Sequence, residues 1–231
     1  MVRRNLTLIA IAALSSALLV CASAAEPPHY TFSPRPPGEI TQSQLFYPAG
    51  EGMQSQWRAV ASRVHLGGSA YQWYLSIYSI DYDTATYRLA YQSPRDGAPL
   101  SRVERASGGS LWFPLQSLHI VGAAALSHPD VQDLVVQSHE AGADCGTATV
   151  TIFIYDWTTQ HIRRVASVEN GCSLSATIEH QASGDAIRLA GPYYAPSAAL
   201  CCPSKPNASA YLRERNGKWV ESPSYYALTT P

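Results

Sequence analysis

The regular alternation of side chains in two stretches of the chain is the feature that most constrains its fold. The stretch QWYLSIYSIDYDTATYRLAY, which starts at Gln72, places Trp73, Leu75 and Ile77 at every second position. A polar turn sequence, DYDTAT, and a second short apolar run follow it. A period of two is typical of a strand that buries one face, and a helix would need a period near 3.6. This stretch therefore predicts an antiparallel hairpin.

A similar phrase returns further along the chain, in TATVTIFIYDWTTQHIRRVASV, where Val150, Ile152 and Ile154 alternate with other side chains. Its turn begins at Asp156, which lies 75 residues after Asp81. When these two aspartates are aligned, further pairs match: Tyr78 with Phe153, Tyr82 with Trp157, Thr84 with Thr159 and Arg88 with Arg163. The pattern is that of a weak internal repeat, each copy being one hairpin.

Other segments fit the same class of fold. AYLRERNGKWVES contains Asn216-Gly217, a strong signal for a type I′ turn between two strands. MQSQWRAVASRVHL is the best helical candidate, and its alternation also permits a strand. We therefore expect a mostly β fold of antiparallel sheets, arranged as propeller-like blades or as a β-sandwich.

The start of the chain, MVRRNLTLIAIAALSSALLVCASAAEPP, has the three parts of a secretory signal peptide. Arg3 and Arg4 form the charged region, an apolar run follows from Leu8 to Val20, and the small residues at 22–24 suit signal peptidase. We predict a signal peptide over 1–24, a proline-rich arm over 25–40 and a single β-rich domain over 41–231. The protein would then be secreted or periplasmic. Lipidation at Cys21 is less favoured, because Val20 replaces the small residue that normally precedes such a cysteine.

The cysteines predict disulfide bonds. The chain has five, and removal of the signal peptide leaves four in an oxidising compartment: Cys145, Cys172, Cys201 and Cys202. Adjacent cysteines bridge only under strain, since neighbouring Cα atoms lie about 3.8 Å apart and disulfides prefer about 5.5 Å. We therefore favour two bridges that join the doublet to Cys145 and Cys172. The alternative is a Cys145–Cys172 bridge with a vicinal or unpaired doublet. The favoured arrangement gives a disulfide-stapled C-terminal part.

Composition and motifs narrow the possible functions. The formal net charge is −1, with 14% charged residues, so the composition offers no basic field for nucleic acid. No second apolar stretch is long enough to span a membrane. The chain has no Gly-x-Ser-x-Gly elbow and no glycine-rich phosphate loop. We expect no cofactor.

The segment from His128 to Asp144 is the densest in side chains that could carry chemistry. It contains His128, Asp130, Asp133, His139, Glu140 and Asp144. A metal-dependent or hydrolytic enzyme could be built from these residues. However, a predicted strand separates His128 from His139, so the two histidines should lie at its opposite ends. We therefore predict no metal site, and an enzyme using this segment is the alternative function.

Aromatic side chains suggest the preferred function. The chain has 14 tyrosines and 5 tryptophans but only 4 phenylalanines, which favours rings with a polar group. Such rings suit surfaces that bind sugars or proteins, although antiparallel strands also use them for packing. We predict a non-catalytic binding or structural protein with a carbohydrate or protein partner. The candidate binding residues are Tyr74, Tyr78, Trp157, Tyr193, Tyr194 and Trp219.

Asp133-Leu134-Val135-Val136, followed by a small-residue loop and a strand ending in Tyr155-Asp156, resembles the FG-GAP or VCBS type of β-propeller repeat. In that family a calcium-binding loop precedes the Asp-Leu-Val strand. The corresponding ligand positions here fall on Ala125, Ser127 and Pro129, which cannot supply carboxylate ligands. The resemblance thus implies the β architecture without the calcium site. The sequence CCPS, at 201–204, resembles a phrase near the end of various bacterial secreted proteins.

Overall fold

The computed structural model describes residues 30–48, 56–68, 70–93, 103–104, 110–111, 115–140, 146–195 and 203–230. The predicted signal peptide lies outside these residues. The described residues form strands and no helix, and nearly all strand pairs are antiparallel, which confirms the prediction of a mostly β fold. No helix in the part that the structure describes could span a membrane. None of the sheets formed by the described strands closes into a propeller.

The first large sheet, which we call the N-terminal sheet, has the strand order β1-β5-β4-β3-β2. Its strands are β1 (Thr31–Ser33), β2 (Glu39–Phe46), β3 (Trp57–Gly67), β4 (Ala70–Asp81) and β5 (Thr86–Ser93). The described part of the segment that also permitted a helix therefore forms a strand, β3. β1 pairs in parallel with β5 and brings Phe32 against the rings of Tyr78 and Tyr87. This short strand covers part of the outer face of the sheet.

The central sheet follows a short pair of strands, β6 (Val103–Glu104) and β7 (Ser110–Leu111). It consists of β8 (Leu115–His128), β9 (Val131–Glu140), β10 (Ala148–Asp156) and β11 (His161–Asn170), joined at the edge of β11 by β16 (Ala227–Thr229). β16 comes from the end of the chain, after the third large sheet. The C-terminal segment therefore returns to complete the central sheet.

The C-terminal sheet is a meander of β12 (Ser175–Gln181), β13 (Gly184–Tyr193), β14 (Lys205–Arg215) and β15 (Lys218–Ser222). Asn216 and Gly217 connect its last two strands, and both have positive φ angles, 53° and 78°. Two positive φ angles are what a type I′ turn requires. The turn predicted from this dipeptide is therefore present.

The central sheet is buried on both faces. Along β9, Leu134 and Val136 belong to a core shared with the N-terminal sheet, where they join Leu75. Val135 points to the opposite face and belongs to a second core, shared with the C-terminal sheet, where it joins Ile187. Because side chains alternate along a strand, three consecutive apolar residues fill two cores. This explains why the run at 134–136 is continuously apolar.

Glutamine side chains connect the sheets through the backbone. The Gln42 amide on β2 donates to the carbonyl of Ile120 at 2.6 Å and accepts from the Ile120 N–H at 2.7 Å. Gln132 forms a related contact, in which its side-chain oxygen accepts from the Tyr47 N–H at 3.0 Å and its own N–H donates to the Tyr47 carbonyl at 3.0 Å. In the first contact the amide takes the place of a neighbouring strand at the edge of the central sheet.

The same arrangement joins the central and C-terminal sheets. Gln137 on β9 donates to the Leu174 carbonyl at 2.6 Å and accepts from the Ala176 N–H at 3.2 Å. At the β8 edge, Asp185 accepts from the Ala125 N–H at 3.0 Å. We call the contacts of the Gln42, Gln132 and Gln137 side chains with backbone groups the glutamine clamps. They fix which edge of each sheet meets the next.

Replacement of Gln42 by methionine should lower the free energy of unfolding by about 2 kcal/mol, because the Ile120 N–H and carbonyl both lose their side-chain partner. Gln44→Met is the matched control, since Gln44 lies on the same strand, is exposed and, among the described residues, donates only to the adjacent Leu45 carbonyl. Chemical denaturation of both variants gives the comparison. Equal losses in the two variants would contradict the role assigned to the Gln42 clamp.

Candidate functional site

A tight turn positions an exposed tryptophan at the end of the β10–β11 hairpin. Asp156 Oδ1 accepts from the N–H groups of Thr158 at 2.9 Å and Thr159 at 3.3 Å, and Arg163 Nε donates to Asp156 Oδ2 at 2.8 Å. The backbone bond from Thr159 is the largest influence and, with the other donors, keeps the pKa of Asp156 below its usual range despite some desolvation. Hydrogen bonds to both oxygens of the Asp156 carboxylate thus fix the turn that carries Trp157.

The β4–β5 hairpin has the same turn. Asp81 Oδ1 accepts from the N–H groups of Asp83 at 3.0 Å and Thr84 at 3.2 Å, and Arg88 pairs with the Asp81 carboxylate. The last turn residue has a positive φ in both hairpins, 49° at Ala85 and 56° at the equivalent position of the second hairpin. Tyr82 occupies the place that Trp157 takes in the second hairpin. The chain thus provides an internal control for the role of Trp157.

The Trp157 side chain is 50% exposed, and its ring is held by other aromatic rings. It meets Tyr155 edge to face, with ring centroids 5.0 Å apart and planes at 89°. Tyr155 in turn meets Trp57 at 5.3 Å, and Trp57 belongs to the core between the N-terminal and central sheets. Trp157 is therefore anchored to the core while much of its surface faces solvent.

A buried carboxylate lies close to this ring. Asp133 has no exposed surface and accepts from the Ser127 N–H at 2.7 Å and the Ser127 hydroxyl at 2.9 Å. Burial raises the pKa of Asp133 to about 6, and the negative charge of Glu214 adds to this effect, although the bonds from Ser127 oppose it. The pair fixes the end of β8 against the start of β9.

Three adjoining depressions surround Ser127, with volumes of about 450, 520 and 400 Å³, and we call them together the turn-end groove. They lie where the β8–β9, β10–β11, β12–β13 and β14–β15 turns come together. The first is lined by Ser127, His128, Asp130, Asp133, Tyr155 and Trp157. The second is lined by residues that include Arg163, Glu214, Lys218 and Trp219, and the third by residues that include Pro129, Asp185 and Arg213.

The structure brings only some of the predicted binding residues together. Trp157 and Trp219 line adjoining depressions of the turn-end groove. Tyr78 is 1% exposed and packs against Phe32, with ring centroids 4.8 Å apart. The remaining candidates are half-buried and lie elsewhere: Tyr74 on β4, Tyr193 at the end of β13 beside Tyr225, and Tyr194 just after β13. The aromatic candidates thus do not form one continuous surface.

The residues of the His128–Asp144 segment divide between the two ends of β9. His128 lies at the turn-end groove, where its Nδ1 is 3.3 Å from the Asp130 N–H nitrogen. His139 lies at the other end, with Nε2 2.9 Å from the Cys172 carbonyl oxygen, and Glu140 beside it is 3% exposed. Asp144 falls outside the described residues. Within them, no three potential ligands cluster as a metal site.

Of the predicted disulfide cysteines, the structure describes Cys172, which follows the end of β11. Cys145, Cys201 and Cys202 lie outside the described residues. Sequence reasoning also missed the link between Ser127 and Asp133 and the position of Glu214. For the link between Ser127 and Asp133, the sequence offered one signal, which is their six-residue spacing across a predicted turn.

Comparison of the chain with known proteins gives no relative. No family model matches it, and no similar curated protein and no similar solved structure is found.

The Asp133 carboxyl should make stability depend on pH. Because its folded pKa, about 6, is above the usual value of 3.8, the folded state binds more protons than the unfolded state between these values. Stability should therefore fall as pH rises through this window, by about 2 to 3 kcal/mol for this group, and the contribution should level off above it. Unfolding free energies of the wild type and Asp133→Asn, measured from about pH 4 to pH 7, should diverge accordingly. Parallel curves would contradict the raised pKa.

Proposed function

We propose that this chain is a non-catalytic binding protein, secreted or periplasmic, that holds a carbohydrate in the turn-end groove. The observation that carries the proposal is the exposed and anchored Trp157 ring beside a depression with the polar groups of Ser127, His128 and Asp130. Ligand sites commonly combine an apolar surface with a few fixed polar groups. The groove has both.

The chemistry of a sugar suits this arrangement. A pyranose ring has a face of C–H groups and an edge of hydroxyl groups, so it can pack on an indole while its hydroxyls meet side-chain donors and acceptors. Trp157 is already held by Tyr155 and by the turn at Asp156. Binding would therefore order few additional side-chain torsions, which reduces its entropic cost.

The second tryptophan extends the proposed site. Trp219 is half-buried and lines the depression next to that of Trp157, and the two depressions share Ser127 and Ile154. A ligand of more than one sugar unit would reach both rings. We therefore favour an oligosaccharide over a monosaccharide.

Two other functions have less support. An enzyme that uses the His128–Asp144 segment would need side chains from opposite ends of β9 in one site. A protein partner would be expected to use a broader aromatic surface, whereas the aromatic candidates lie in several places. The likeness to an FG-GAP or VCBS repeat stays a prediction, and we interpret the arrangement of sheets on both faces of the central sheet as sandwich-like.

For the disulfides we propose Cys145 as the partner of Cys172. Ala148 on β10 pairs with Asn170 on β11, and Glu140 N–H donates to the Thr147 carbonyl at 2.8 Å. Continuing the β10–β11 register by two residues would set Gly146 opposite Cys172, next to Cys145 in the chain. This favours the alternative connectivity, in which Cys145 pairs with Cys172. The bridge would join the central sheet to the segment that enters the C-terminal sheet.

Non-reducing peptide mapping of the exported protein tests this pairing. The expected result is a fragment that joins the Cys145 and Cys172 peptides. A fragment that joins Cys172 to the peptide of Cys201 and Cys202 would contradict it and restore the pairing favoured by the sequence.

The carbohydrate proposal is tested by binding of the purified chain to a panel of neutral oligosaccharides, followed by titration of the best ligand. Trp157→Ala should weaken binding about tenfold or more, since it removes the anchored ring. Tyr82→Ala is the matched control, because Tyr82 is 46% exposed in the equivalent turn but lines no part of the groove, and its binding should equal that of the wild type. Failure of every panel member to bind, or equal loss in both variants, would contradict the proposal.

A further inference from the structure

The outer face of the C-terminal sheet carries an unusual excess of positive charge. Ile187, Leu189 and Leu212 point inward and are fully buried in the core shared with the central sheet. The alternation of each strand therefore directs Arg188 and Arg213 to the opposite face. We call this surface, formed by β12–β15 on the side away from the central sheet, the basic face.

The register of the strands identifies the other members of the basic face. Arg188 pairs with Tyr211, Arg213 with Val220, and Arg215 with Lys218, and directly paired residues lie on the same face. The carboxylate there is Glu179, 3.7 Å from Arg188. The basic face thus carries four cations and one carboxylate, although the formal net charge of the chain is −1.

Most of these charges are open to a ligand. Arg188, Arg215 and Lys218 are exposed. Among the described residues neither Arg215 nor Lys218 has an ion-pair partner. Arg213 donates to the Gln181 side chain and lies over the Tyr211 ring, with its Cζ 5.4 Å from the ring centroid. The face thus presents guanidinium groups that internal carboxylates leave mostly uncompensated.

The geometry points to a linear polyanion. Tyr211, Arg213 and Arg215 follow one another at every second position of β14, so their spacing is about 7 Å and the row spans about 14 Å. Guanidinium groups bind carboxylates and sulfates through paired hydrogen bonds, and the Tyr211 ring offers a surface for a sugar. From this charge complementarity we propose that the basic face binds an acidic polysaccharide, such as a polyuronate.

A membrane fits this surface less well. The basic face has little apolar surface, since Val220 is 39% exposed and Tyr211 is half-buried. It therefore has little to insert between lipids. The basic face borders the turn-end groove, since Arg213 and Lys218 also line two of its depressions. The variants chosen below are therefore at Arg188 and Arg215, which do not line the groove.

The test is binding of the full exported chain to polygalacturonate and to a neutral polysaccharide. The wild type should bind the polyuronate, and its affinity for the polyuronate, unlike any affinity for the neutral polymer, should fall steeply as ionic strength rises from about 0.05 to about 0.3 M. The double variant Arg188→Gln/Arg215→Gln should bind about tenfold more weakly at the lower ionic strength. Trp157→Ala should retain the wild-type affinity for polyuronate.

The matched control is Arg35→Gln/Arg164→Gln, which removes two exposed positive charges from other parts of the chain and should bind like the wild type. Absence of polyuronate binding, a polyuronate affinity that does not change with ionic strength, or equal loss in the two double variants would overturn the proposal. Tighter binding to duplex DNA or to anionic vesicles than to polyuronate would also overturn it, because the preferred partner would then be of another class.

Discussion

The structure depends on one constraint: the central sheet is buried on both faces, and its edge strand must still satisfy its outward backbone groups. Apolar side chains fill the two cores, with Leu134 and Val136 on one side and Val135 on the other. Apolar packing has no direction, so it does not by itself select how the sheets meet. The glutamine clamps supply that direction, because the side-chain amides of Gln42 and Gln137 each donate to a backbone carbonyl and accept from a backbone N–H of another sheet or of the segment that leads into it. Gln42 and Gln137 thus orient the outer sheets on the central one.

The candidate site follows from this arrangement. Once the central and C-terminal sheets are fixed, four of their turns come together around Ser127. Asp133 accepts a hydrogen bond from the Ser127 N–H, and Asp156 accepts one from the Thr158 N–H, which fixes the turn that carries Trp157. These are short-range hydrogen bonds at the ends of long strands. The groove is therefore formed by the position of the sheets and shaped by local contacts of the turns.

What the sequence predicts well here is local. The alternation around Leu75 and Val150 predicts strands, and Asn216-Gly217 predicts a tight turn, because each depends on neighbouring residues alone. The burial of Tyr78 is not local, since it depends on Phe32 reaching the sheet from β1. The same holds for the partners of Gln42, which lie 78 residues away in the chain. Side-chain pattern predicts which residues form strands, but the choice of neighbouring sheet depends on distant contacts.

Native-state hydrogen exchange tests the central role of the buried sheet most directly. The amides of β9 and β10, which are paired on both sides within the central sheet, should exchange most slowly, through complete unfolding of the described domain. Amides of β4 and β13, which lie inside the two outer sheets, should exchange faster, because each outer sheet can open while the central sheet stays intact. Slower exchange in β4 or β13 than in β9 and β10 would contradict this account, since an outer sheet would then be the most stable part of the fold.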